Sequence, residues 1–514
     1  MKSPLEDMPV IVGIGEAIEP LTSPLDNPSS PQALIARAAA AALQDALPQA
    51  DLAPFIDVLI AVRTFADSTA HWPTPFGSSS NLPRSIAERI GTAPKRAVYT
   101  EVGGDVPQRY VNECCEKLAR GDASMILIAG GEAIANTKAA AKAGLALDWA
   151  EHPKGGLENR GLGIDGLIAP EAIRHQLFSA PLGYALCEIA RRARQGDSPD
   201  AYADAMAELL VPLSQVAAGN HKAMFPQAFT AQEIKTPTAT NAYTAYPYTR
   251  AMVAKDAVNQ AAALLLTTRS KALALGVAEE KMTYLHAYVA LNDKSLLERE
   301  DLSRSMALET AYEYLMKRVG SNSSKLKYLD IYSCFPIVLS EAKAALDIGQ
   351  ASDMPLTQTG GLPFFGGPGN NYSMHAIASV VRRLRHDTAS LGLVHANGGY
   401  MDKHAIGIYG CEPGWQVCDS GPAQRALDDK AAQELEPHPR GEATIETYTV
   451  QFARGQPSYA VVVGRLKQSG RRFIANNCED DQDILQRLMA SDLVGADILV
   501  SSLEAGNRVR LVDA

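Results

Sequence analysis

Nowhere do the 514 residues offer the roughly 20 uninterrupted apolar positions that a membrane span requires, so no membrane insertion is expected. The first eight residues, MKSPLEDM, hold one lysine and two acids and no apolar stretch, which is not the layout of a secretory signal. A cytoplasmic setting is the expectation. A disulfide framework is also missing. The seven cysteines are an odd number scattered at 114, 115, 187, 334, 411, 418 and 478, a pattern that suits reduced thiols. Metal-ligand spacing is absent too, since Cys411 and Cys418 bracket EPGWQV with no histidine or second cysteine pair nearby; no metal is expected. Basic charge is in short supply. With 48 Lys and Arg against 58 Asp and Glu, the net charge of −10 argues against nucleic acid as a partner.

What is present is an ordinary globular composition, 46% hydrophobic and 21% charged, on a chain too long for one core. Residues 1–147 alternate strand and helix: PVIVGIGEA, PQALIARAAAAALQDAL, FIDVLIAVRTF, SIAERIG, RAVYTEVGG, a helix over 105–120, and ASMILIAGGEA. Buried strands joined by helical crossovers predict a mostly parallel sheet covered on both faces. Residues 251–411 replay that order. They run through AAALLLTT, KMTYLHAYVAL, a helix over 302–319, LKYLDIYSCF, a helix through VLSEAKAAL, a glycine-rich loop, HAIASVVRRLR, SLGLVHANGG and HAIGIYG. The chain thus reads as two copies of one α/β unit.

Between the halves, residues 148–250 form a helical insertion whose Lys154, Arg160, Arg174, Arg191, Arg192, Arg194 and Lys222 stand out in an acidic protein. They are candidates for a phosphorylated ligand, the alternative being a solvated helix face. Tyr243, Tyr246 and Tyr248 in the same insertion suggest either a bulky acyl pocket or loop packing. A Pro- and acid-rich linker over 412–440 leads to residues 441–514, where short strands, tight turns and one short helix suggest a small β-barrel of OB-like character. Its lack of a basic stripe disfavours nucleic-acid work.

Four stretches bring strand ends or glycine-rich loops to helix starts, where free N–H groups bind anionic ligands. They are VGG at 102–104, YSCF at 332–335, TGGLPFFGGPGNNYSMHA at 359–376 and VHANGG at 394–399. Together with the ARGDASMILIAGGEA segment, their order and spacing resemble the thiolase superfamily across residues 9–411. The resemblance implies a duplicated thiolase fold, two βαβαβαββ halves layered α-β-α-β-α, with a loop domain. It also implies coenzyme A chemistry on 3-ketoacyl thioesters, in which a cysteine takes the acyl group. Carried over residue by residue, the reactive positions are all changed. The acyl-accepting cysteine falls on Gly104, the tetrad reads Tyr332-Ser333-Cys334-Phe335, the GHP motif reads Gly366-Gly367-Pro368, and His395 stands for the cysteine of the CxG turn. This set, with the extra barrel, is most similar to type-1 thiolase-like proteins, a branch related to acetyl-CoA acetyltransferases.

The resemblance implies roles for the replacements. His395 and His375 are candidate proton shuttles, each with a structural alternative. Tyr332 is a candidate donor to a thioester carbonyl, or a filler of the lost histidine's space. Gly103, Gly104 and Asn397 would offer backbone N–H groups to an oxyanion. Lys255, Gly366, Gly367 and Cys334 would line the coenzyme A channel, with a covalent role for Cys334 the lesser alternative. Two functions follow: an acyltransferase that makes or breaks a C–C bond without the usual cysteine, or a non-catalytic binder of coenzyme A or acyl-CoA. The expected assembly is a monomer or a homodimer, with the extra domain lessening reliance on the usual thiolase dimer.

Overall fold

The computed structural model describes residues 7–68, 74–164, 168–348, 354–481 and 483–512. Most of the MKSPLEDM segment therefore lies outside the described residues. Seventeen strands follow in chain order: β1 Pro9–Ile18, β2 Val58–Ala61, β3 Arg96–Tyr99, β4 Met125–Ala133, β5 Glu158–Asn159, β6 Tyr243–Ala245, β7 Tyr248–Thr249, β8 Asn259–Thr268, β9 Thr283–Asn292, β10 Leu326–Ile331, β11 Leu391–Gly398, β12 Lys403–Gly410, β13 Gly441–Ala453, β14 Gln456–Leu466, β15 Arg472–Asn477, β16 Asp497–Leu503 and β17 Gly506–Leu511.

Ten of them make one sheet in the order β10-β11-β12-β9-β1-β8-β4-β2-β3-β5. The two halves meet where β1 and β9 share only two residue pairs, Val10 with Tyr284 and Ile11 with Thr283. The strands on either side of this seam, β4-β8-β1 and β11-β12-β9, are related in the same way, so the doubling is present, but β8, which the sequence order assigned to the start of the second copy, lies in the sheet of the first. The sheet is mixed and not mostly parallel, which corrects the expectation. Parallel pairing is confined to β3-β5, β2-β3, β2-β4 and β10-β11; every other pairing is antiparallel. One reason is local, since β11 and β12 are joined by the four-residue turn 399–402, too short for the crossover that parallel neighbours need; the other antiparallel pairs, β4-β8, β8-β1, β1-β9 and β9-β12, join strands distant in sequence.

Two helices form the central layer. Val106–Arg120 touches β1 and β8 of one half and β9, β11 and β12 of the other, and it packs against Tyr372–His386. Sandwiched this way, Tyr372–His386 is buried without a break from Tyr372 to Val381, which is why its first ten residues carry no Asp, Glu, Lys or Arg. On the opposite face the alanine-rich helix Pro31–Ala46 lies so close to β1 that a Cβ at Gly13 would sit 2.1 Å from the Ala42 carbonyl oxygen. The alternation of glycine in the strand and alanine in the helix permits this backbone-to-backbone approach.

In the carboxyl-terminal region β14-β15-β17-β16-β13 close through a β13–β14 pairing into a five-stranded barrel, and β6 of the insertion adds to β13 through Gln451 and Ala245. The preceding linker is not featureless, since it contains the helix Gly421–Asp428. The barrel is clamped to the rest of the chain. Fully buried Arg472 pairs with Glu446 at 2.5 Å and donates to the carbonyl oxygens of Leu297, Arg299 and Glu300. Much of the insertion's basic set is used in the same way. Arg191 and Arg194 pair with Glu341, Arg192 with Asp492, Arg160 with Glu113, and Arg174 caps the carbonyls of Leu503 and Glu504. The tyrosines join in: Tyr248 donates to Glu188 at 2.7 Å, and Tyr243 packs on Phe452 of the barrel. No described helix is long and apolar enough to cross a membrane.

Candidate active site

The two central helices start at the same place, one after Gly103-Gly104 and the other after Asn370-Asn371, so two positive dipole ends converge. Short polar side chains lock them together. Asn370 Oδ1 accepts the Gly103 N–H at 3.1 Å, Ser373 Oγ donates to the Gly104 carbonyl at 2.8 Å, and Asn371 Nδ2 donates to the Gly130 carbonyl at 2.7 Å.

Gly104 cannot carry a side chain here. A Cβ on it would lie 2.2 Å from Tyr332 Oη, 2.6 Å from Tyr332 Cζ and 2.5 Å from the Asn397 carbonyl oxygen. The Tyr332 phenol therefore occupies the space a nucleophile at position 104 would need. Gly103 has φ of +151°, a conformation reserved for glycine, and a Cβ at Gly103 or at Gly398 would lie 2.2 Å from Asp105 Oδ1. The Asp105 carboxylate is thus wedged between the elbow and the NGG turn. It is 3% exposed, Oδ2 takes a hydrogen bond from Arg109 Nε at 3.3 Å, and Oδ1 has no protein partner.

Around this point lie several of the residues singled out by sequence. Tyr332 is buried, its N–H bonded to the His395 carbonyl at 3.1 Å and its ring edge-on to Tyr372. Burial raises its phenol well above the usual range. Asn397 Nδ2 donates to Tyr184 Oη at 2.7 Å and approaches Cys334 Sγ at 3.6 Å, while its Oδ1 is buried without a partner. Burial pushes the Cys334 thiol up to about 12, against the pull of Tyr184, so it is not a thiolate near neutral pH. Its carbonyl accepts from the N–H of Ala254, which places Lys255 one residue further out. Lys255 Nζ lies 4.6 Å from the Phe225 ring centre and 5.5 Å from that of Phe364; burial and then Arg250 lower its amine to about 8. The Lys255 carbonyl accepts the Gly367 N–H at 2.8 Å, and a Cβ at Gly366 would meet Gln260 Oε1 at 2.4 Å.

The two histidines are engaged elsewhere. His395 Nε2 faces His404 Nδ1 at 3.0 Å, and His404 Nε2 reaches the Met401 carbonyl and Ser305 Oγ. That chain makes His404 Nε2 the donor and leaves His395 Nδ1 a buried acceptor with no partner. Burial, then His404, holds the His395 imidazole well below its ordinary range, and burial takes His404 down to about 3. His375 is fully buried, with Nδ1 2.8 Å from Glu16 Oε1. The structure therefore gathers Gly103, Gly104, Tyr332, Cys334 and Asn397, sets Lys255, Gly366 and Gly367 beside them, and turns His395 and His375 into separate networks.

Sequence reasoning missed Asp105, Asn370, Ser373 and Tyr184. The first three carry a local signal, since each lies within three residues of a glycine or asparagine at a helix start. Tyr184 carries none. It arrives from the insertion helix Ala180–Gln195, stacks on Phe335 at 4.3 Å, and accepts N–H bonds from Asn397 and Met401. Among the described residues no three His, Cys, Asp or Glu side chains converge as a metal-ligand group.

Comparison with known proteins agrees with this geometry. Residues 422–504 match the family model for the thiolase-like protein type 1 additional C-terminal domain, which takes in most of the linker helix and the barrel as far as β16. A search of curated proteins returns no match. Among solved structures, a monomeric SCP2-thiolase like protein type 1 from Mycobacterium smegmatis is 36% identical, covers 99% of this chain and 100% of its own, and superposes with a TM-score of 0.84. The dimeric peroxisomal thiolase of Saccharomyces cerevisiae, at 14% identity, covers 79% of this chain and 98% of its own with a TM-score of 0.55. A thiolase from Ascaris suum in complex with coenzyme A, at 13% identity, covers 78% and 99% with the same TM-score. These two show the shared fold alone. The chain belongs to the type-1 thiolase-like proteins of the thiolase superfamily, a duplicated thiolase fold carrying an additional carboxyl-terminal barrel.

Proposed function

We propose that the protein binds coenzyme A thioesters at the paired helix starts and forms no acyl-enzyme. One observation carries the reading: Tyr332 Oη stands 2.2 Å from where a Cβ at position 104 would be, so the nucleophile's space is filled by a phenol. The Gly103 N–H is taken by Asn370 Oδ1, so a thioester oxygen would be held by the Gly104 N–H and the two dipole ends. Titration calorimetry with coenzyme A and acetyl-CoA, paired with intact-protein mass spectrometry after incubation, tests it. Binding with no added acyl mass is expected; a stoichiometric acyl adduct, or binding of neither ligand, overturns it.

A second reading is catalytic, and Asp105 favours it. Its unpartnered, buried Oδ1 is a base beside the helix starts. In this reading the carboxylate takes a proton from the carbon next to the thioester carbonyl, and the enolate oxygen is held by the Gly104 N–H and the dipole ends, the first half of a C–C bond-making or bond-breaking step. Exchange of that proton for deuterium in D2O, lost in Asp105→Asn while coenzyme A still binds, is the expected result. Exchange no faster than in buffer removes this reading and leaves the first intact.

A further inference from the structure

Well along the central helix from the paired starts, a groove of about 520 Å³ opens between the insertion and the end of Tyr372–His386. Its walls carry His221, Lys222, Arg382, Arg383 and His386 with the amides of Gln215 and Gln358. Next to it lies Glu16, 1% exposed in its side chain, which anchors two of the groove's cations. Both Lys222 Nζ and Arg382 Nη2 bind its Oε2, the latter at 2.6 Å, while His375 holds Oε1. Burial alone would raise this carboxyl, yet the His375 hydrogen bond and the charges of His375, Lys222 and Arg382 hold it well below the usual carboxylate range.

The balance of charge is one-sided. One buried anion fixes two cations whose side chains remain 23% and 42% exposed, and Arg383 beside them has no carboxylate partner among the described residues. The carbonyl ends of two helices, Pro199–Ala218 and Tyr372–His386, reach the same groove and bring about half a negative charge each. Three full positive charges against Glu16 and those two half charges still leave an excess of about one in a protein of net −10. The groove's volume falls in the range of small-molecule sites. Unlike the arginines that clamp the barrel, Lys222 and Arg382 share a single carboxylate.

We propose that this groove is a binding site for a phosphate-bearing small molecule, with Arg383 and Arg382 donating to the phosphate oxygens and Lys222 adding charge from the rim. Arginine's planar donors suit phosphate. The site does not depend on the reading of the paired helix starts, since none of its residues touches Gly104, Tyr332 or Asn397.

The test is calorimetry on the full chain with inorganic pyrophosphate, with coenzyme A, and with an acetyl-pantetheine thioester that has no phosphate. Arg383→Glu is the main variant because its side chain is exposed and removing it leaves Glu16 paired; Arg382→Gln is the second. Pyrophosphate is expected to bind the parent protein at low salt and to lose about ten- to hundredfold in each variant, the equivalent of one charge-assisted hydrogen bond. If coenzyme A weakens in parallel, its phosphates are the source; if coenzyme A is unaffected while pyrophosphate is lost, the groove serves another phosphorylated ligand. No pyrophosphate binding, or equal binding by parent and both variants, overturns the proposal. Binding of the acetyl-pantetheine thioester reads the central site alone, so failure of one site is not mistaken for failure of the other.

Discussion

Gly104→Ala puts the filled nucleophile space to a direct test. The new methyl group would meet Tyr332 Oη at 2.2 Å, Tyr332 Cζ at 2.6 Å and the Asn397 carbonyl oxygen at 2.5 Å. Comfortable contacts of carbon lie near 3.5 Å, so the phenol has to retreat by about 1 Å into a close-packed interior. The carbonyl has less freedom, because Asn397 is paired with His404 in the β11–β12 ladder. Overpacking of this kind costs about 1–3 kcal/mol, and the immobile carbonyl sets the expected loss near the upper figure. Tyr332→Ala alone should cost about 3–5 kcal/mol as a buried aromatic truncation. In the double variant two of the three clashes vanish, so the combined loss should fall short of the sum by about 1–2 kcal/mol. Urea unfolding followed by circular dichroism on all four proteins reads these differences. A Gly104→Ala protein within about 0.5 kcal/mol of the parent, or strict additivity in the cycle, would refute the claim that the phenol fills this space.

Three further outcomes are expected. Glu132 is buried, with the Phe65 N–H donating to its Oε1 at 2.7 Å, and burial raises its carboxyl from 4.5 to about 8. The folded state therefore keeps a proton that the unfolded chain releases, so stability is highest below pH 4.5 on this account and falls as pH rises to about 8, by up to about 5 kcal/mol. Glu132→Gln should flatten that slope and gain most at pH 9; an unchanged pH profile of the unfolding midpoint would count against it. Arg472→Met strips donors from three carbonyls and leaves Glu446 with Arg465 as its remaining arginine partner, at a cost of about 3–5 kcal/mol. Limited proteolysis within 412–440 should then release the barrel, and a cutting pattern like the parent's would show that the clamp is dispensable. Of the seven thiols only Cys411 and Cys478 are partly exposed, so a colorimetric thiol reagent at pH 8 should label no more than two before unfolding. Fast labelling of Cys334 would mean that the site is open.

The alternation of strands and helices, the doubling and the extra barrel were all legible, because each rests on local periodicity and on turn residues. What could not be read depends on partners distant in sequence. The sheet's mixed polarity follows from which strands the seam brings together. Tyr332 was read as a donor or as a filler of the lost histidine's space, yet the space it fills belongs to Gly104, 228 positions away in sequence. The arginines of the insertion looked like ligand-binding groups on the strength of charge alone, and their carboxylate partners turned out to lie in other parts of the chain. Lys222 is the member of that set whose groove also gathers Arg382 and Arg383, and nothing in its flanking residues, Asn220, His221 and Ala223, marks it as different.

The two-residue strand β5 has an effect out of proportion to its length. Glu158 and Asn159 pair with Val98 and Tyr99 along the outer side of β3, and the Arg96–Glu158 ion pair pins them there. Half of this border's peptide groups are thereby satisfied from within the same polypeptide. A second molecule could extend the sheet across β3 only by first peeling this tape away, so self-association through that border is discouraged by the chain itself.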